Sequence, residues 1–402
     1  MNSKKIRKLI VLLLTAFIAF TGMIVSVDAA EPDPTLYESL GSDYIYVFDI
    51  ESGQVLTEKN GEEKMYPASM TKMMTAIVAM EKLNDQDKKV EITNEMVRGL
   101  DELGASVAGF AEGDVVTVRD LFYGTALPSG ADAANALAIL SAGSIRNFVS
   151  MMNDKAKEIG MNDSHFANVT GLHDDDHYST AHDMARLVEY CIKNETFTKV
   201  FSSRKYTSSP TQFYPDGILM QSTTWHSAET YGISLPDLIG SKTGFTWEAG
   251  HCLAWWADFN GMKLVGVNAH CDEDSLYGIG HLTDSSHLLE RLHDYEKTTV
   301  VTQGDLLDRL VIHYSDHDET VDILSDETII EDMRKGNEPV ITSTLIDEVT
   351  AGLNDSEVSG IIRIEKDGRL MFEKAVRVTV PKEVKFFARL KMRWNSIFHK
   401  NG

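Results

Sequence analysis

The chain has 402 residues and a formal net charge of -23, from 38 Lys and Arg against 61 Asp and Glu. Its length suits two or three domains with a large core, and its 43% hydrophobic and 25% charged residues exclude collagen-like, coiled-coil and wholly disordered chains. The acidic balance argues against a nucleic-acid partner, which would need a concentrated basic surface.

The N-terminus has the pattern of a secretory signal. Four basic residues precede an apolar run that ends near Val27, and small residues follow at Ala29 and Ala30. We expect a signal peptide over residues 1–29, with an uncleaved membrane anchor as the alternative. Either interpretation places the rest of the chain outside the cytoplasm.

Periodicity predicts an α+β domain over residues 30–297, with an antiparallel sheet built from both ends of the segment and a helical subdomain between them. A hairpin is expected over 43–59, and a helix that is apolar nearly all round is expected from Ser69 to Lys82. The segment 162–182 is polar and typical of a loop. Further helices are expected at 117–125, 131–141, 144–159, 182–194 and 275–295, and further strands at 238–243, 251–259 and 262–270.

The three cysteines are predicted to be thiols. Cys252 and Cys271 fall on two strands joined by an Asn260-Gly261 turn, and in that register Cys271 faces Gly250. The two cysteines are then offset by two positions, which is poor geometry for a disulfide.

The chain beyond residue 297 has a different character. Residues 298–381 show strand patterns and are expected to form a small all-β domain, a β-sandwich. Residues 382–402 carry a net charge of about +5, with Phe387, Leu390 and Trp394 on one helical face. We expect an amphipathic helix that lies on an anionic membrane, with an ordinary packed terminal helix as the alternative.

Three short motifs carry the chemistry: Ser69-Met70-Thr71-Lys72 at the start of the apolar helix, Ser129-Gly130-Ala131 between two helices, and Lys242-Thr243-Gly244 at the end of a strand. A serine hydroxyl becomes a nucleophile when a base takes its proton. Lys72 lies one helical turn from Ser69, and it can be that base if burial and a second cation, Lys242, lower its pKa.

The remaining motif residues fit supporting roles. Ser129 could relay a proton to a leaving amine, and Lys242 with Thr243 could bind a substrate carboxylate. The backbone N–H groups of Ser69 and Phe245 could stabilise an oxyanion.

Two other patterns have simpler interpretations. A second S-x-x-K at Ser202 to Lys205 opens no apolar helix and is interpreted as a chance occurrence on the surface. His173 and His177 flank three aspartates, but a loop does not align ligands four residues apart, so no metal site is expected.

The ordered trio resembles the S-x-x-K, S-x-N and K-T-G set of penicillin-binding proteins and class A β-lactamases. Residues 66–73 and 170–185 are similar to the corresponding stretches of the low-molecular-mass serine D-alanyl-D-alanine carboxypeptidases, the peptidase S11 type. The resemblance covers nearly the whole chain. It implies a penicillin-binding/β-lactamase-like fold on the outer face of the cytoplasmic membrane, facing the cell wall.

The resemblance also implies roles for residues. Ser69 would be acylated by a peptidoglycan pentapeptide ending in D-Ala-D-Ala, Lys72 would be the general base and Ser129 the proton relay. Lys242, Thr243 and Gly244 would hold the terminal carboxylate. Water would release the shortened peptide without a metal or organic cofactor, and β-lactam antibiotics would be covalent inhibitors.

One position departs from the family pattern. The third residue of the middle motif is Ala131, where the family has Asn, and an alanine cannot hydrogen bond to a substrate amide or to the lysine. Asp132 and Asn135 follow out of register. Two other functions stay open: a β-lactamase on the same domain, for which 162–182 shows no E-x-x-x-N spacing, and a non-catalytic wall-binding relative.

Overall fold

The computed structural model describes residues 31–271, 278–313, 318–325, 328–336, 339–345, 348–350, 357–366 and 369–379. The predicted signal peptide and the predicted amphipathic tail lie outside the described residues. The chain divides into two compact units. The larger unit comprises Pro32–Lys297 with Asp332–Lys335, and the smaller comprises Thr298–Glu331 with the described residues from Gly336 onwards.

The larger unit alternates short strands with a group of helices. Its strands are β1 (Ser42–Asp49), β2 (Val55–Lys59), β3 (Lys89–Glu91), β4 (Val115–Thr117), β5 (Lys205–Thr207), β6 (Leu219–Gln221), β7 (Leu238–Thr246), β8 (Gly250–Phe259) and β9 (Met262–Cys271). Its helices are α1 (Lys72–Met80), α2 (Asn94–Val97), α3 (Val118–Ala126), α4 (Ala131–Ala142), α5 (Ile145–Glu158), α6 (Ala181–Cys191), α7 (Glu195–Phe201), α8 (Thr223–Tyr231) and α9 (Gly280–Leu292).

Five strands form an antiparallel sheet in the order β2-β1-β9-β8-β7. Both ends of the larger unit contribute to this sheet, as the sequence predicts. The short strands pair separately, β3 with β4 and β5 with β6. The helices α1 to α8 come from the chain between β2 and β7.

Both faces of the sheet are buried. Along β8, Ala254 and Trp256 belong to the core shared with the central helices, whereas Leu253 and Trp255 belong to the core shared with α9. Successive strand residues point to opposite faces, so this alternation places a hydrophobic layer on each side. Helix α1 lies inside the first core, and all nine of its residues are buried.

The smaller unit is built from strands in the residues that the structure describes. Two strands, β10 (Tyr295–Val301) and β13 (Ile329–Arg334), form one pair. The others form two three-stranded sheets, β12-β11-β15 and β14-β16-β17. Their bounds are β11 (Leu306–His313), β12 (Asp318–Leu324), β14 (Val340–Ser343), β15 (Glu348–Thr350), β16 (Glu357–Lys366) and β17 (Arg369–Thr379).

The long predicted elements of the larger unit are confirmed, with shifts of a few residues at their ends. The helix predicted over 275–295 is shorter and runs as α9. The sequence analysis missed α2, α7, α8 and the strands β3 to β6. The strands β3 to β6 have three residues each and α2 has four, too few for a period to be detected.

The predicted β8–β9 register is correct only in part. It holds from Phe259 opposite Met262 to Leu253 opposite Asn268, and then a bulge places Cys271 opposite His251 rather than Gly250. The predicted thiols are confirmed: all three cysteines lie among the described residues, are buried, and form no disulfide.

Candidate active site

Ser69 lies on a tight turn that directly precedes the N-terminus of α1. The turn is a 3-10 segment, Ala68–Thr71, and α1 begins only at Lys72, so the prediction that Ser69 opens the α-helix itself is wrong. Ala68 has a φ of +44°, which is uncommon for a residue with a side chain.

Two glycines allow other backbone segments to approach this turn. A Cβ on Gly171 would lie 1.8 Å from the Ala68 carbonyl oxygen, and a Cβ on Gly244 would lie 3.2 Å from the Ser69 nitrogen. The loop that carries Gly171 and strand β7 therefore flank the backbone of Ser69 at close range.

Lys72 contacts the hydroxyl of Ser69 directly. Its Nζ lies 2.8 Å from Ser69 Oγ and 2.7 Å from the Thr170 carbonyl oxygen. The side chain is buried, and burial lowers the lysine pKa to about 7, with the nearby carboxylate of Asp132 opposing this change. The second cation predicted to lower the Lys72 pKa is not needed for that result, because burial is the main cause.

Lys242 and Thr243 lie within β7 and not at its end, since the strand continues to Thr246. Lys242 is buried, and its Nζ donates to the Thr243 carbonyl at 2.8 Å. Burial, and then the charge of Lys72, hold the Lys242 pKa well below its usual value. Two buried cationic side chains therefore lie within electrostatic reach of each other.

Ser129 lies in the turn between α3 and α4, in a left-handed conformation with φ of +62°. Its hydroxyl is buried and has no hydrogen-bond partner in the part of the chain that the structure describes. The Thr223 N–H donates to the Leu127 carbonyl at 3.1 Å, and the Thr223 hydroxyl bonds to the Thr243 hydroxyl at 2.6 Å. These two bonds connect the Ser129 turn to the strand of Lys242.

The polar side chains that follow the middle motif, those of Asp132 and Asn135, form hydrogen bonds to backbone groups. Ala131 is buried, and the Asp132 carboxylate accepts four backbone N–H bonds of 2.8 to 3.1 Å, from Ala108, Gly109, Phe110 and Ala133. Burial raises the Asp132 pKa, and these bonds oppose the rise. Asn135 donates to the Met96 carbonyl at 3.1 Å. The sequence analysis set Asp132 aside as out of register and did not predict these backbone contacts, although an acidic residue in a first helical turn is a recognisable signal.

Phe245 follows Gly244 on β7 and pairs in register with His251 on β8. Its ring is 40% exposed and lies 4.4 Å from the His251 ring and 5.5 Å from the Trp247 ring, measured between centroids. The close approach of Gly244 to Ser69 brings the two segments that carry the predicted oxyanion donors side by side. The donor role of Phe245 stays a prediction.

The two histidines have different surroundings. His173 is partly exposed, packs edge-on against the Tyr66 ring and lies 3.8 Å from Glu248. His177 is buried and bonds to Thr71 at 2.7 Å. Among the described residues no group of three or more His, Cys, Asp or Glu side chains could hold a metal ion. Sequence reasoning missed the contact between His177 and the Ser69 turn.

Comparison with known proteins identifies the family. The family model described as D-alanyl-D-alanine carboxypeptidase, peptidase S11, matches residues 29–271. The carboxypeptidase DacF of Bacillus subtilis is 35% identical over 54% of this chain and 54% of its own length. The D-alanyl-D-alanine carboxypeptidase of Streptomyces strain K15 is 32% identical over 55% of this chain and 78% of its own length. The chain spans about half the length of the first of these relatives.

Solved structures show the same fold. The DD-transpeptidase of Streptomyces K15 superposes with a TM-score of 0.56 at 28% identity, covering 63% of this chain and 97% of that one. The DacD carboxypeptidase of Francisella tularensis gives a TM-score of 0.66 at 22% identity over 92% of this chain and all of that one, which supports the fold alone. Since the family model matches more than half of its residues, this chain belongs to the D-alanyl-D-alanine carboxypeptidase family, peptidase S11.

Proposed function

We propose that the protein is a serine carboxypeptidase that removes the terminal D-alanine from peptidoglycan stem peptides through an acyl-enzyme on Ser69. The observation that carries this proposal is the 2.8 Å contact between Ser69 Oγ and a buried Lys72 whose pKa is about 7. Near neutral pH a large fraction of such a lysine is uncharged and can accept the serine proton. The names of the relatives supply the substrate class.

In the acylation step, neutral Lys72 takes the proton of Ser69 Oγ as that oxygen attacks the carbonyl carbon of the penultimate D-alanine. The N–H groups of Ser69 and Phe245 receive the developing oxyanion. The Ser129 hydroxyl gives its proton to the nitrogen of the departing D-alanine and regains one from protonated Lys72, which becomes neutral again. The peptide bond breaks, and an ester to Ser69 remains.

Substrate binding and ester hydrolysis complete the cycle. Lys242 and Thr243 hold the terminal carboxylate, and Gly244 leaves space beside the Ser69 backbone. After the D-alanine leaves, Lys72 accepts a proton from a water molecule, and that water attacks the ester. Lys72 then returns the proton to Ser69 Oγ as the ester bond breaks and the shortened peptide leaves. No metal or organic cofactor enters this scheme. A β-lactam would acylate Ser69 in the same way and stay attached.

The proposed setting of the enzyme rests on sequence pattern. Residues 1–29 direct export, 30–297 form the peptidase domain, and 298–381 form a small β-sandwich domain. Residues 382–402 form an amphipathic helix bound to an anionic membrane surface, which places the enzyme at the outer face of the cytoplasmic membrane. No helix in the described parts of the chain is long and apolar enough to cross a bilayer.

Labelled penicillin followed by intact mass over time tests this function. A lasting adduct that Ser69→Ala abolishes, together with D-alanine release from a D-Ala-D-Ala peptide, supports the carboxypeptidase. Rapid turnover of the adduct would indicate a β-lactamase, and no adduct would indicate a non-catalytic relative. Ser202→Ala is the matched control, because Ser202 follows α7 and bonds only weakly to the Lys199 carbonyl, at 3.4 Å.

A further inference from the structure

His177 is a buried histidine that the catalytic scheme does not use. Its Nδ1 accepts the backbone N–H of Ala167 at 3.1 Å, with that of Asn168 at 3.4 Å. A ring nitrogen that accepts carries no proton, so the proton of the neutral ring is on Nε2. Nε2 therefore donates to Thr71 Oγ1 over 2.7 Å.

The two ends of His177 reach the two segments that orient the base. Thr71 lies between Ser69 and Lys72 on the turn. Ala167 and Asn168 begin the loop that presents the Thr170 carbonyl to Lys72. The Asn168 side chain shapes that loop, since its Oδ1 accepts the N–H groups of Thr170 at 3.1 Å and Gly171 at 2.7 Å.

We propose that His177 is a positioning residue that clamps the Ser69–Lys72 turn to the 167–171 loop and so directs the lone pair of Lys72 at Ser69. A carbonyl oxygen only accepts, so the Thr170 carbonyl takes one N–H of neutral Lys72. With that N–H engaged, the lone pair is left for the serine proton. This inference rests on the proposed function of Ser69 and Lys72.

The clamp persists across the range in which Lys72 titrates. Burial lowers the His177 pKa to about 4, so the ring stays neutral at pH 6 to 9. The charged or titratable groups that face it are Asp174, which raises its pKa, and His165, His173 and Lys72, which lower it. The Phe166 ring packs edge-on against the imidazole, with 5.6 Å between the ring centroids, and covers one side of it.

The test compares Thr71→Val with Thr71→Ser in the full chain, by measuring penicillin acylation from pH 5.5 to 9. Valine removes the hydroxyl with little change of shape, and serine retains it. We expect valine to slow acylation at pH 7 by about tenfold, the equivalent of one strong hydrogen bond. The looser site admits water and raises the Lys72 pKa. The pH at which acylation reaches half of its maximal rate, the midpoint of the profile, should therefore rise by about half a pH unit. Thr71→Ser should keep the wild-type midpoint.

A purely structural role would lower the unfolding temperature without moving that midpoint. Thr57→Val is the matched control, because it removes a buried hydroxyl that donates to the Asp33 carbonyl at 2.6 Å, away from Ser69. An unchanged midpoint in Thr71→Val, or the same shift in Thr57→Val, overturns the clamp.

If Thr71→Val does not fold, His177→Gln replaces it in the test. Glutamine can retain a donor near Thr71 but has no acceptor at the position of Nδ1, to which Ala167 donates. The midpoint of the acylation profile should again move to higher pH, and an unmoved midpoint contradicts the clamp. Wild-type protein that forms no penicillin adduct would contradict the proposed function itself. Wild-type acylation with an unaltered Thr71→Val profile would contradict only the clamp.

Discussion

Two turns of the larger unit carry the motif serines Ser69 and Ser129, and their surroundings differ. The Ser69 turn is held on every side: its hydroxyl bonds to Lys72, Thr71 bonds to His177, and Gly171 packs against its backbone. The Ser129 turn is also strained, but its hydroxyl is buried without a partner in the described structure.

A buried hydroxyl without a partner costs about 1–3 kcal/mol of stability. The Ser69 turn is therefore organised by the protein itself before any substrate arrives. The Ser129 hydroxyl has no such bond within the described residues. This difference fits the proposed roles, in which Ser69 is a nucleophile fixed in advance and Ser129 is a relay that acts on a departing group.

The largest effect on the acylation rate is expected from a change in the Ser69 turn. Lys72→Met removes the base and retains much of the side-chain volume. General-base catalysis contributes about 10²–10⁴-fold, so acylation by labelled penicillin should fall by that factor. Rapid-quench mass spectrometry of the adduct measures it. Acylation within tenfold of wild type would show that another group takes the Ser69 proton.

Gly171→Ala should displace the same turn without touching its chemistry. The new Cβ would lie 1.8 Å from the Ala68 carbonyl oxygen, at a φ of +80°. Displacing reacting groups by about 1 Å costs about a hundredfold in rate. The control is Gly143→Ala, with a φ of +75° and no atom within 4 Å of the new Cβ. Equal acylation rates in the two variants would refute the close approach.

Ser129→Ala should separate activity from stability. Removing an unpartnered buried hydroxyl should raise the free energy of unfolding by about 1 kcal/mol. Losing its bond to the leaving group should slow D-alanine release by about tenfold to a hundredfold. Urea unfolding and D-alanine assays measure both. Ser285→Ala is the satisfied counterpart: its hydroxyl donates to Asn268 Oδ1 at 2.7 Å, so its removal should destabilise the fold.

The pH dependence reports the protonation of Lys72. Because only neutral lysine accepts the serine proton and its pKa is about 7, acylation should rise with pH and level off above 8. Between pH 6 and pH 8 the rate should change by about tenfold. A flat profile over this range would mean that the proton acceptor is already neutral at pH 6.

The smallest effect is expected at Ala131, which is buried beside the Ser129 turn. Adding an amide to a packed position costs about 1–3 kcal/mol. Ala131→Asn should therefore lower the free energy of unfolding and slow acylation. The rate constants with one penicillin and one D-Ala-D-Ala peptide decide the matter. A gain of about tenfold with both would show that the site lacks the family amide and has no substitute for it.

The motif residues could be predicted from sequence because their chemistry and short spacing are local. Ser69 and Lys72 lie three residues apart, and any tight helical turn brings them together. The backbone conformation of the turn that carries them could not be predicted in this way. The backbone that flanks the 3-10 turn at Ala68 comes from Gly171 and Gly244, which lie far along the chain.

The supporting contacts could not be predicted for the same reason. The Lys72 to Thr170 bond spans 98 residues and the Thr71 to His177 bond spans 106. Neither the Ser69 turn nor the loop that carries Thr170 and His177 has a hydrophobic pattern that would predict their contact. Sheet order was predictable in outline from alternation and an Asn-Gly turn, but the bulge that moves Cys271 opposite His251 depends on local backbone geometry.

The pair of buried lysines has a thermodynamic consequence for the whole fold. Lys72 and Lys242 hold pKa values below the ordinary lysine value of 10.5, so the unfolded chain binds more protons than the folded one. Between about pH 7 and that ordinary value, folding therefore releases protons, and these lysines make stability rise with pH. A ligand carboxylate at Lys242 would favour the protonated form of this lysine, so that ligand binding would take up a proton. Under the proposed function, the two lysines that activate the serine and bind the carboxylate destabilise the ligand-free protein, and an anionic ligand should stabilise it.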